Sequence, residues 1–287
     1  MGRLKRPREV KDLRTLVVAS RADEASMNIA RAFLDLYGLE PTGLEFEGSP
    51  VYARGDIALV FTDLETIYAE HVDKALEDVG AIIFISKHAS RAGKACLSTH
   101  TPGNLGPEAD YGGKPMELAW SDPGRMAVAL RTLVEARDEL GLLDYAPCLE
   151  ATHHGPTGLS VPVLFVEIGS TPDRWADRRA AEAVARAAWE AARARPEVKK
   201  AVGFGGGHYA PKFTKLVLED VGVAVGHIVP KFAFQAYGPN RWLVEEPIRR
   251  TWGGCDVVVV DKKGLRSPDR KLVISVAEEL GLEVLVI

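Results

Sequence analysis

The sequence predicts an α/β protein whose sheet is mostly parallel and flanked by helices. Short β-branched runs alternate with amphipathic stretches along the 287 residues, a pattern typical of parallel strands joined by helical crossovers. The runs in the second half are separated by helical stretches of about ten to fifteen residues, as a crossover requires. No internal repeat or linker-like segment interrupts this order. We therefore expect a single α/β domain spanning residues 1–287, with an irregular insertion near residues 100–118.

The first half of the chain contains the signals of strands and two helices. The run RTLVVAS at 14–20 predicts a strand, and apolar residues recur at helical spacing in the following stretch, 23–38. Residues 43–62 predict two or three short strands, with a hairpin at the Gly-Ser-Pro break. The stretch ETIYAEHVDKALEDVG at 65–80 is expected to be helical, and AIIFIS at 81–86 is expected to be a buried strand.

The second half begins with a long irregular region at 100–115, an uncommon length for a loop without a role. A capped helix is predicted at 121–141, followed by strands at 146–152 and 161–169. Thr171 and the proline after it predict the start of a helix that runs to about Arg195. The last strands are predicted in KKAVGFG, VGVAVGH, CDVVVVD and LEVLVI.

Composition excludes several classes of protein. With 46% hydrophobic and 26% charged residues, and no apolar run near the roughly 18 residues that span a bilayer, no membrane role is expected. The start of the chain lacks the apolar core of a secretory signal, so a cytoplasmic location is expected, and no obligate protein partner is predicted. Cys96, Cys148 and Cys255 are far apart and form no CxxC, which favours small core residues over disulfides or a cysteine zinc site.

The charge balance argues against a general nucleic-acid coat protein. The formal net charge is -4 and the pI is about 6.0, whereas such proteins are strongly basic. Local basic patches remain candidates for a nucleic-acid contact. They are the amino-terminal segment 1–14, the arginine-rich stretch 174–195 and DKKGLRSPDRK at 261–271.

Histidines concentrate where the predicted strands end. Six of the seven histidines lie at or just beyond such an end, and only His71 falls within a predicted helix. The carboxyl ends of parallel strands face the ligand crevice in open α/β sheets, so a histidine cluster at this edge is the leading hypothesis. The six are His88, His100, His153, His154, His208 and His227.

Glu167 and a glycine run add to this edge. A carboxylate in the apolar run VPVLFVEIG is costly to bury unless it is paired or binds a metal. Imidazoles with one carboxylate suit catalytic zinc, and without metal they suit a general base and an oxyanion donor. The run GFGGGHYAP at 203–211 suits close approach of backbone N–H groups to an anion, but it is neither GxGxxG nor a Walker loop. Neither GxSxG nor HExxH is present.

Four motifs carry a family resemblance: EATHHGPTGLSVPVLFVEIGST, VGFGGGHYAPKFT, SKHAS and GHIVPK. The chain resembles the archaeal-type D-aminoacyl-tRNA deacylases, a family also found in plants, from Val17 to the last strand. The resemblance implies a zinc-dependent hydrolase that cleaves the ester between a D-amino acid and the terminal ribose of tRNA. It also implies an α/β fold similar to those of phosphorylases and peptidyl-tRNA hydrolases. The acceptor end of aminoacyl-tRNA is thus the expected partner.

Residue roles are our inference from the motifs. We expect zinc to be held by some of the candidate ligands, and the adjacent histidines of HHGP to face opposite ways, as neighbours on an extended chain do. Lys231 is a further candidate for contact with the acceptor strand. The predicted metal ligands are His88, His100, His153, Glu167 and His208. The predicted catalytic residues are His154, His208 and Glu167. The predicted substrate-binding residues are Lys87, Gly205, Gly206, Gly207, Tyr209 and Lys212.

Two alternatives stay open at the level of sequence. The first is a metal-free esterase or a phosphorylase-like enzyme, with His154 or His208 as general base and the glycine run as anion site. The second is a tRNA-binding protein without chemistry of its own. The histidines speak against it, because phosphate contacts favour lysine and arginine over neutral imidazole.

Overall fold

The computed structural model describes residues 14–90, 93–219 and 221–287, so nearly all of the predicted amino-terminal basic patch lies outside the described residues. The strands are β1 Arg14–Ser20, β2 Glu40–Phe46, β3 Ser49–Arg54, β4 Ile57–Thr62, β5 Val79–Ala89, β6 Cys96–His100, β7 Ala146–Leu149, β8 Val163–Ser170, β9 Lys199–Phe204, β10 Val223–Val229, β11 Val257–Val260 and β12 Glu283–Val286. The α-helices are α1 Glu24–Tyr37, α2 Pro123–Glu139, α3 Pro172–Trp175, α4 Arg178–Arg193, α5 Pro211–Leu218, α6 Lys231–Tyr237, α7 Trp242–Arg249 and α8 Ser267–Glu279.

The strands form two sheets. The larger has the order β2-β3-β4-β1-β5-β8-β6-β7, and the smaller has the order β10-β9-β11-β12. Every strand pair of the smaller sheet is parallel. In the larger sheet, antiparallel pairing among the described residues is confined to β2 with β3, β3 with β4 and β6 with β8. The predicted class, a mostly parallel α/β fold, is confirmed.

Helix α1 begins and ends where the sequence predicts, because its ends carry capping residues. The Asp23 carboxylate accepts a hydrogen bond from the Ser26 amide, which satisfies a free donor of the first turn. Gly38 closes the helix with φ 56°, a left-handed conformation that glycine adopts without a Cβ clash. Asp122 caps α2 in the same way as Asp23 caps α1.

The predicted helix at 65–80 is wrong. The structure has only two 3-10 turns there, Thr66–Tyr68 and Val72–Lys74. Side-chain contacts with other segments hold this stretch, since the Glu70 carboxylate accepts from the amides of residues 157 and 158. His71 pairs with Glu47. Tertiary contacts thus override a weak local preference for helix.

The helix predicted from Thr171 to Arg195 is interrupted. A short helix, α3, ends at Trp175, and α4 begins at Arg178. Asp177 separates them because its carboxylate accepts from the backbone amides of Arg179 and Ala180 and so caps a new helix. Thr171 precedes α3 but makes no side-chain capping hydrogen bond.

The irregular region near 100–118 packs against the body of the protein. Its residues 101–106 are buried, and the Asn104 side chain donates to the carbonyls of Gly112 and Lys114 at 2.8 and 3.1 Å. A backbone bridge pairs Pro102 with His153. The insertion therefore borders the segment that carries the two adjacent histidines.

One hydrophobic cluster joins the two sheets. It includes Val17 and Ile83 from the larger sheet and Val225 and Val257 from the smaller one. Helix α2 packs against strands of both sheets, β6 and β10 among them. The assignment of residues 1–287 to a single domain stays a prediction. In the portion of the chain that is described, no helix has the length and apolar character to cross a membrane.

Candidate active site

Four neighbouring strands of the larger sheet supply the first part of the site. Strands β5, β8 and β6 carry His88, Glu167 and His100, and Glu150 directly follows β7. Side chains two residues apart share one face of a strand, so Ser86 lies on the face of His88, and its hydroxyl donates to Glu167 Oε1 at 2.8 Å. The sheet thus directs two imidazoles and a carboxylate to one face.

The smaller sheet supplies the rest through the glycine run after β9. Residues 149–151 pair with residues 208–210: the Ala151 amide donates to the His208 carbonyl at 2.8 Å, and the Ala210 amide donates to the Leu149 carbonyl at 3.1 Å. A backbone bridge also pairs Glu150 with Tyr209. This pairing brings His208 and Tyr209 to the histidines of the larger sheet.

Glu150 occupies the middle of the cluster. Its Oε1 lies 3.3 Å from His88 Nδ1, and its Oε2 lies 3.1 Å from His208 Nε2 and 3.7 Å from His153 Nε2. Glu167 Oε2 lies 3.7 Å from His88 Nδ1 and 3.5 Å from His100 Nε2. Glu150 therefore bridges imidazoles of both sheets, and Glu167 bridges two imidazoles of the larger sheet.

His153 and His154 point into the same space, which corrects the expectation that they face opposite ways. Their ring centroids are 4.3 Å apart, and they lie 4.2 and 4.9 Å from the His100 ring. The chain is not extended here, because His154 has φ 45°. Because the backbone turns at His154, successive side chains no longer point to opposite sides, as they would on an extended strand.

Backbone carbonyls orient both of these imidazoles. His153 Nδ1 donates to the Ala151 carbonyl at 2.8 Å, and His154 Nδ1 donates to the Gly155 carbonyl at 2.6 Å. A ring that donates through Nδ1 keeps the lone pair of Nε2 when it is neutral. Both Nε2 atoms are therefore free to bind a metal or accept a proton.

Burial and charge set the protonation of the cluster. Burial and the neighbouring His100 lower the pKa of His154 to about 4, and burial with the surrounding imidazoles holds the pKa of His153 well below its ordinary value. Both rings are therefore neutral near pH 7. Burial acts against charge on His88 too, but the contact with Glu167 and the charge of Glu150 outweigh it and raise its pKa to about 10, so this ring is protonated near pH 7.

The two carboxylates are ionised. Burial acts to raise the pKa of Glu167, but contacts with His100 and His88 outweigh it and hold that pKa well below the ordinary value. Burial also acts to raise the pKa of Glu150, but its contacts with His208 and His88 outweigh burial and lower that pKa. Ionised carboxylates and the neutral rings of His153 and His154 are in the protonation states that metal binding requires, whereas His88 has to lose its proton before it can bind a metal.

Several buried polar atoms of the cluster make no hydrogen bond within the described residues, and they test whether the site fits a metal. His100 is 0% exposed, and neither ring nitrogen has a hydrogen-bond partner among the described residues; the same holds for both carboxylate oxygens of Glu150. Buried polar groups without partners are rare in native proteins and call for an ion or water. Nitrogen and oxygen donors fit zinc. Three groups bring candidate ligand atoms within 4.8 Å of one another: His88, Glu150, His153 and His208; His100, His153 and His154; and His100, Glu150 and Glu167.

All of the predicted catalytic residues and metal ligands lie in this cluster. His227 does not, although it was expected at the same edge: it is fully buried within β10, where its Nε2 donates to the Ala119 carbonyl at 3.0 Å. His71 also lies outside the cluster and contacts Glu47. The residue that sequence reasoning missed is Glu150. A buried carboxylate at the end of the apolar run APCLEAT carried the same signal as Glu167.

The predicted substrate-binding residues have varied surroundings. Tyr209 joins the cluster, with its hydroxyl 3.1 Å from His88 Nε2. Lys87 points away from it, because its neighbour His88 faces the cluster, and its Nζ donates to Glu65 Oε1 at 3.1 Å. Lys212 Nζ donates to Asp261 Oδ1 at 2.6 Å.

The glycine run forms the predicted turn from β9 to α5. Gly205 and Gly206 have φ 113° and 78°, values that favour glycine. The Gly205 amide donates to the Val229 carbonyl at 2.8 Å, so this amide is not free for an oxyanion, contrary to expectation. Gly206 accepts from the Lys231 amide at 3.0 Å. The amides that remain candidates for substrate are those of Gly206 and Gly207.

The predicted basic stretches are partly neutralised by ion pairs. In the stretch 174–195, Arg174 pairs with Asp144, and Arg186 Nη1 lies 2.7 Å from Glu139 Oε2. In the stretch 261–271, Arg266 Nε lies 2.8 Å from Asp269 Oδ2. Solvated helix faces therefore account for much of this charge.

The fold and the site define a class: an α/β protein with a buried histidine–carboxylate centre at a sheet edge, suited to metal-assisted hydrolysis. The family model of the D-aminoacyl-tRNA deacylases matches residues 75–285. The chain belongs to this family.

Curated relatives agree with that assignment. D-aminoacyl-tRNA deacylases from Thermococcus onnurineus and Aeropyrum pernix are 39% and 36% identical, over 93% and 95% of this chain and 98% and 99% of theirs. The enzyme from Methanosarcina acetivorans is 37% identical over 97% of this chain and 94% of its own. The crystal structure of a conserved protein of unknown function has 34% identity and a TM-score of 0.86, covering 96% of both chains.

Proposed function

We propose that this chain hydrolyses the ester bond of D-aminoacyl-tRNA, releasing the D-amino acid and tRNA, at the histidine–glutamate cluster. Membership of the D-aminoacyl-tRNA deacylase family supports the reaction. The observation that supports the location is Glu150, whose two buried oxygens lack hydrogen bonds within the described chain and lie beside imidazoles from both sheets. The reaction belongs to translation, so we place it in the cytoplasm.

We propose zinc as the cofactor, held by residues of this cluster. Neutral His153, with Nδ1 fixed on a backbone carbonyl, presents Nε2 toward Glu150, and His88 and His208 flank the same carboxylate. Glu167 and His100 form the deeper part of the cluster. When bound, zinc acts as a Lewis acid and lowers the pKa of water, which supplies a nucleophile for ester hydrolysis near neutral pH.

Solvent exposure suggests the side from which the ester enters. The His208 side chain is 35% exposed, whereas those of His88 and His100 are 5% and 0% exposed. We place the scissile carbonyl beside His208 and Tyr209, where the tyrosine hydroxyl serves as a donor to the developing oxyanion. His154 keeps its Nε2 lone pair, because its Nδ1 donates to the Gly155 carbonyl, so we assign it the role of proton acceptor.

The acceptor end of tRNA is the expected partner. We assign the amides of Gly206 and Gly207 and the side chain of Lys231 to the terminal phosphates, because backbone amides in a glycine turn suit anions. Lys87 and Lys212 would first have to leave Glu65 and Asp261, so we assign them a secondary part in binding.

Metal analysis and deacylation assays test the proposal together. Purified protein should contain zinc and release tyrosine from D-tyrosyl-tRNA faster than from L-tyrosyl-tRNA; chelation should abolish release, and added zinc should restore it. Full activity in metal-free protein would reject zinc and favour His154 or His208 as a metal-free general base. Activity that requires inorganic phosphate would indicate phosphorolysis. Salt-dependent tRNA binding without turnover would indicate a binding protein.

A further inference from the structure

A pocket of about 630 Å³ opens beside the histidine–glutamate cluster. Strands β6 and β7 form one wall, and helix α5 forms the other along its whole length. This volume lies in the range of small-molecule sites, about 300–1,000 Å³. Its lining includes Cys96, Ala146, Cys148, Tyr209, Thr214 and Leu218.

The pocket is continuous with the cluster at two points. Tyr209 lines the pocket, and its hydroxyl lies 3.1 Å from His88 Nε2. Cys96 lines it too, on the far side of Gly169: a Cβ at Gly169 would lie 2.5 Å from Cys96 Sγ and 2.9 Å from His88 Cδ2. A group bound in the pocket therefore lies close to any group bound at His88.

Among the polar groups of the walls, Thr214 already has partners, whereas Lys94, an exposed lysine of the lining, has no ion pair within the described residues. Thr214 Oγ1 accepts from the Leu149 amide and donates to the Ala210 carbonyl, both at 2.9 Å. At the mouth, Lys215 Nζ lies 3.5 Å from Glu219 Oε1. A nucleobase would need hydrogen-bond partners for its edge, and a phosphate would need free cationic groups. The walls suit an apolar group better than either.

We propose that this pocket receives the side chain of the amino acid esterified to tRNA. The assignment rests on the proposed function, since it assumes that the ester carbonyl binds at the cluster. The side chain branches from the carbon next to that carbonyl, so it must enter a space that adjoins the cluster. The ribose and phosphates are polar and charged, and they point toward the glycine run. The pocket is large enough for a side chain of the size of tyrosine.

Filling the mouth of the pocket tests the assignment. Leu218 lines the pocket but is 38% exposed, so Leu218→Trp narrows the space without disturbing the core. We expect kcat/KM for D-tyrosyl-tRNA to fall at least about tenfold and that for D-alanyl-tRNA to change less than about twofold, because a smaller side chain still fits. Ala146→Phe, on the opposite wall, should give the same pattern. Leu280→Trp is the matched control, because Leu280 is a leucine of similar exposure, 47%, at the C-cap of α8.

A binding measurement keeps the test independent of turnover. D-tyrosine and D-alanine, each joined by an amide to 3′-amino-3′-deoxyadenosine, cannot be released by ester hydrolysis. Wild-type protein should bind the tyrosyl compound more tightly, and Leu218→Trp should remove that preference. Equal losses for both substrates or both compounds, or no change for either, would overturn the assignment. Absence of hydrolysis by wild-type protein would instead reject the proposed function.

Discussion

Glu150 and His208 follow strands of different sheets, yet Glu150 Oε2 lies 3.1 Å from His208 Nε2. The contact depends on the pairing of residues 149–151 with 208–210, where the Ala151 amide donates to the His208 carbonyl. Neither sheet contains the complete site. The cluster therefore forms only when the two sheets are docked, which links its assembly to tertiary folding.

Glu150→Gln should strongly reduce both activity and zinc content. The change keeps the size of the side chain but removes the negative charge between His88, His153 and His208. We expect kcat/KM for D-tyrosyl-tRNA to fall by at least about 100-fold, at the upper end of losses for residues that support a metal site. Glu139→Gln changes an exposed glutamate on α2 and should retain activity. Equal activity in the two variants would remove Glu150 from the site.

His100→Phe should separate stability from function. The ring stacks on Phe165 at 5.1 Å, so phenylalanine keeps the packing. The change removes the imidazole that lies 3.5 Å from Glu167 Oε2, but Ser86 and His88 remain beside that carboxylate. We expect the metal-free variant to keep most of the stability of wild type in urea, but to bind less zinc and lose activity. A fully active variant with normal zinc content would show that His100 is no ligand.

Gly169→Ala should damage the site through a steric clash. A Cβ there would lie 2.5 Å from Cys96 Sγ and 2.9 Å from His88 Cδ2. We expect the free energy of unfolding to fall by about 1–3 kcal/mol, as for overpacked cores, and activity to fall as His88 shifts. Gly207→Ala, whose Cβ would meet only the Tyr209 carbonyl at 3.9 Å, should keep wild-type stability. A stable, active Gly169→Ala variant would contradict the prediction.

His227 should contribute to loss of stability in acid. Burial lowers its pKa to about 4, whereas an unfolded histidine has a pKa near 6.5. Between these values the unfolded chain binds more protons, so this contribution is complete above about pH 6.5 and is lost as the pH falls toward 4. His227→Gln keeps a donor for the Ala119 carbonyl but does not titrate.

Urea unfolding at pH 7 and pH 5, in the presence of chelator, measures this contribution. The difference in unfolding free energy between the two pH values should be smaller in His227→Gln than in wild type by on the order of 1–2 kcal/mol. The same difference in both proteins would show that His227 does not govern the pH dependence. The pKa of His154 is also lowered to about 4, so this residue should contribute equally to the pH dependence of unfolding in wild type and in His227→Gln.

The sequence by itself determined the fold class and most of the site. Apolar β-branched runs separated by helical stretches are local patterns, and they place the strands whatever the rest of the chain does. The same patterns put His88 and Glu167 near the ends of two strands that prove to be parallel neighbours, so their meeting followed from the convergence of those ends. His100 ends β6, which runs antiparallel to β8, so the sheet topology rather than that rule placed it beside Glu167. The motifs HHGP and GGGHYAP indicated the family directly.

The tertiary structure alone decided how these residues meet. The left-handed φ of His154 turned two adjacent rings into one space, which the rule for extended chains could not foresee. Pairing between distant segments placed Glu150 beside His208, and side-chain contacts replaced the helix expected at 65–80. His227 is buried in the core because β10 continues to Val229, so this histidine lies within the strand rather than beyond its end. Such outcomes depend on contacts between residues far apart in sequence, which local patterns do not encode.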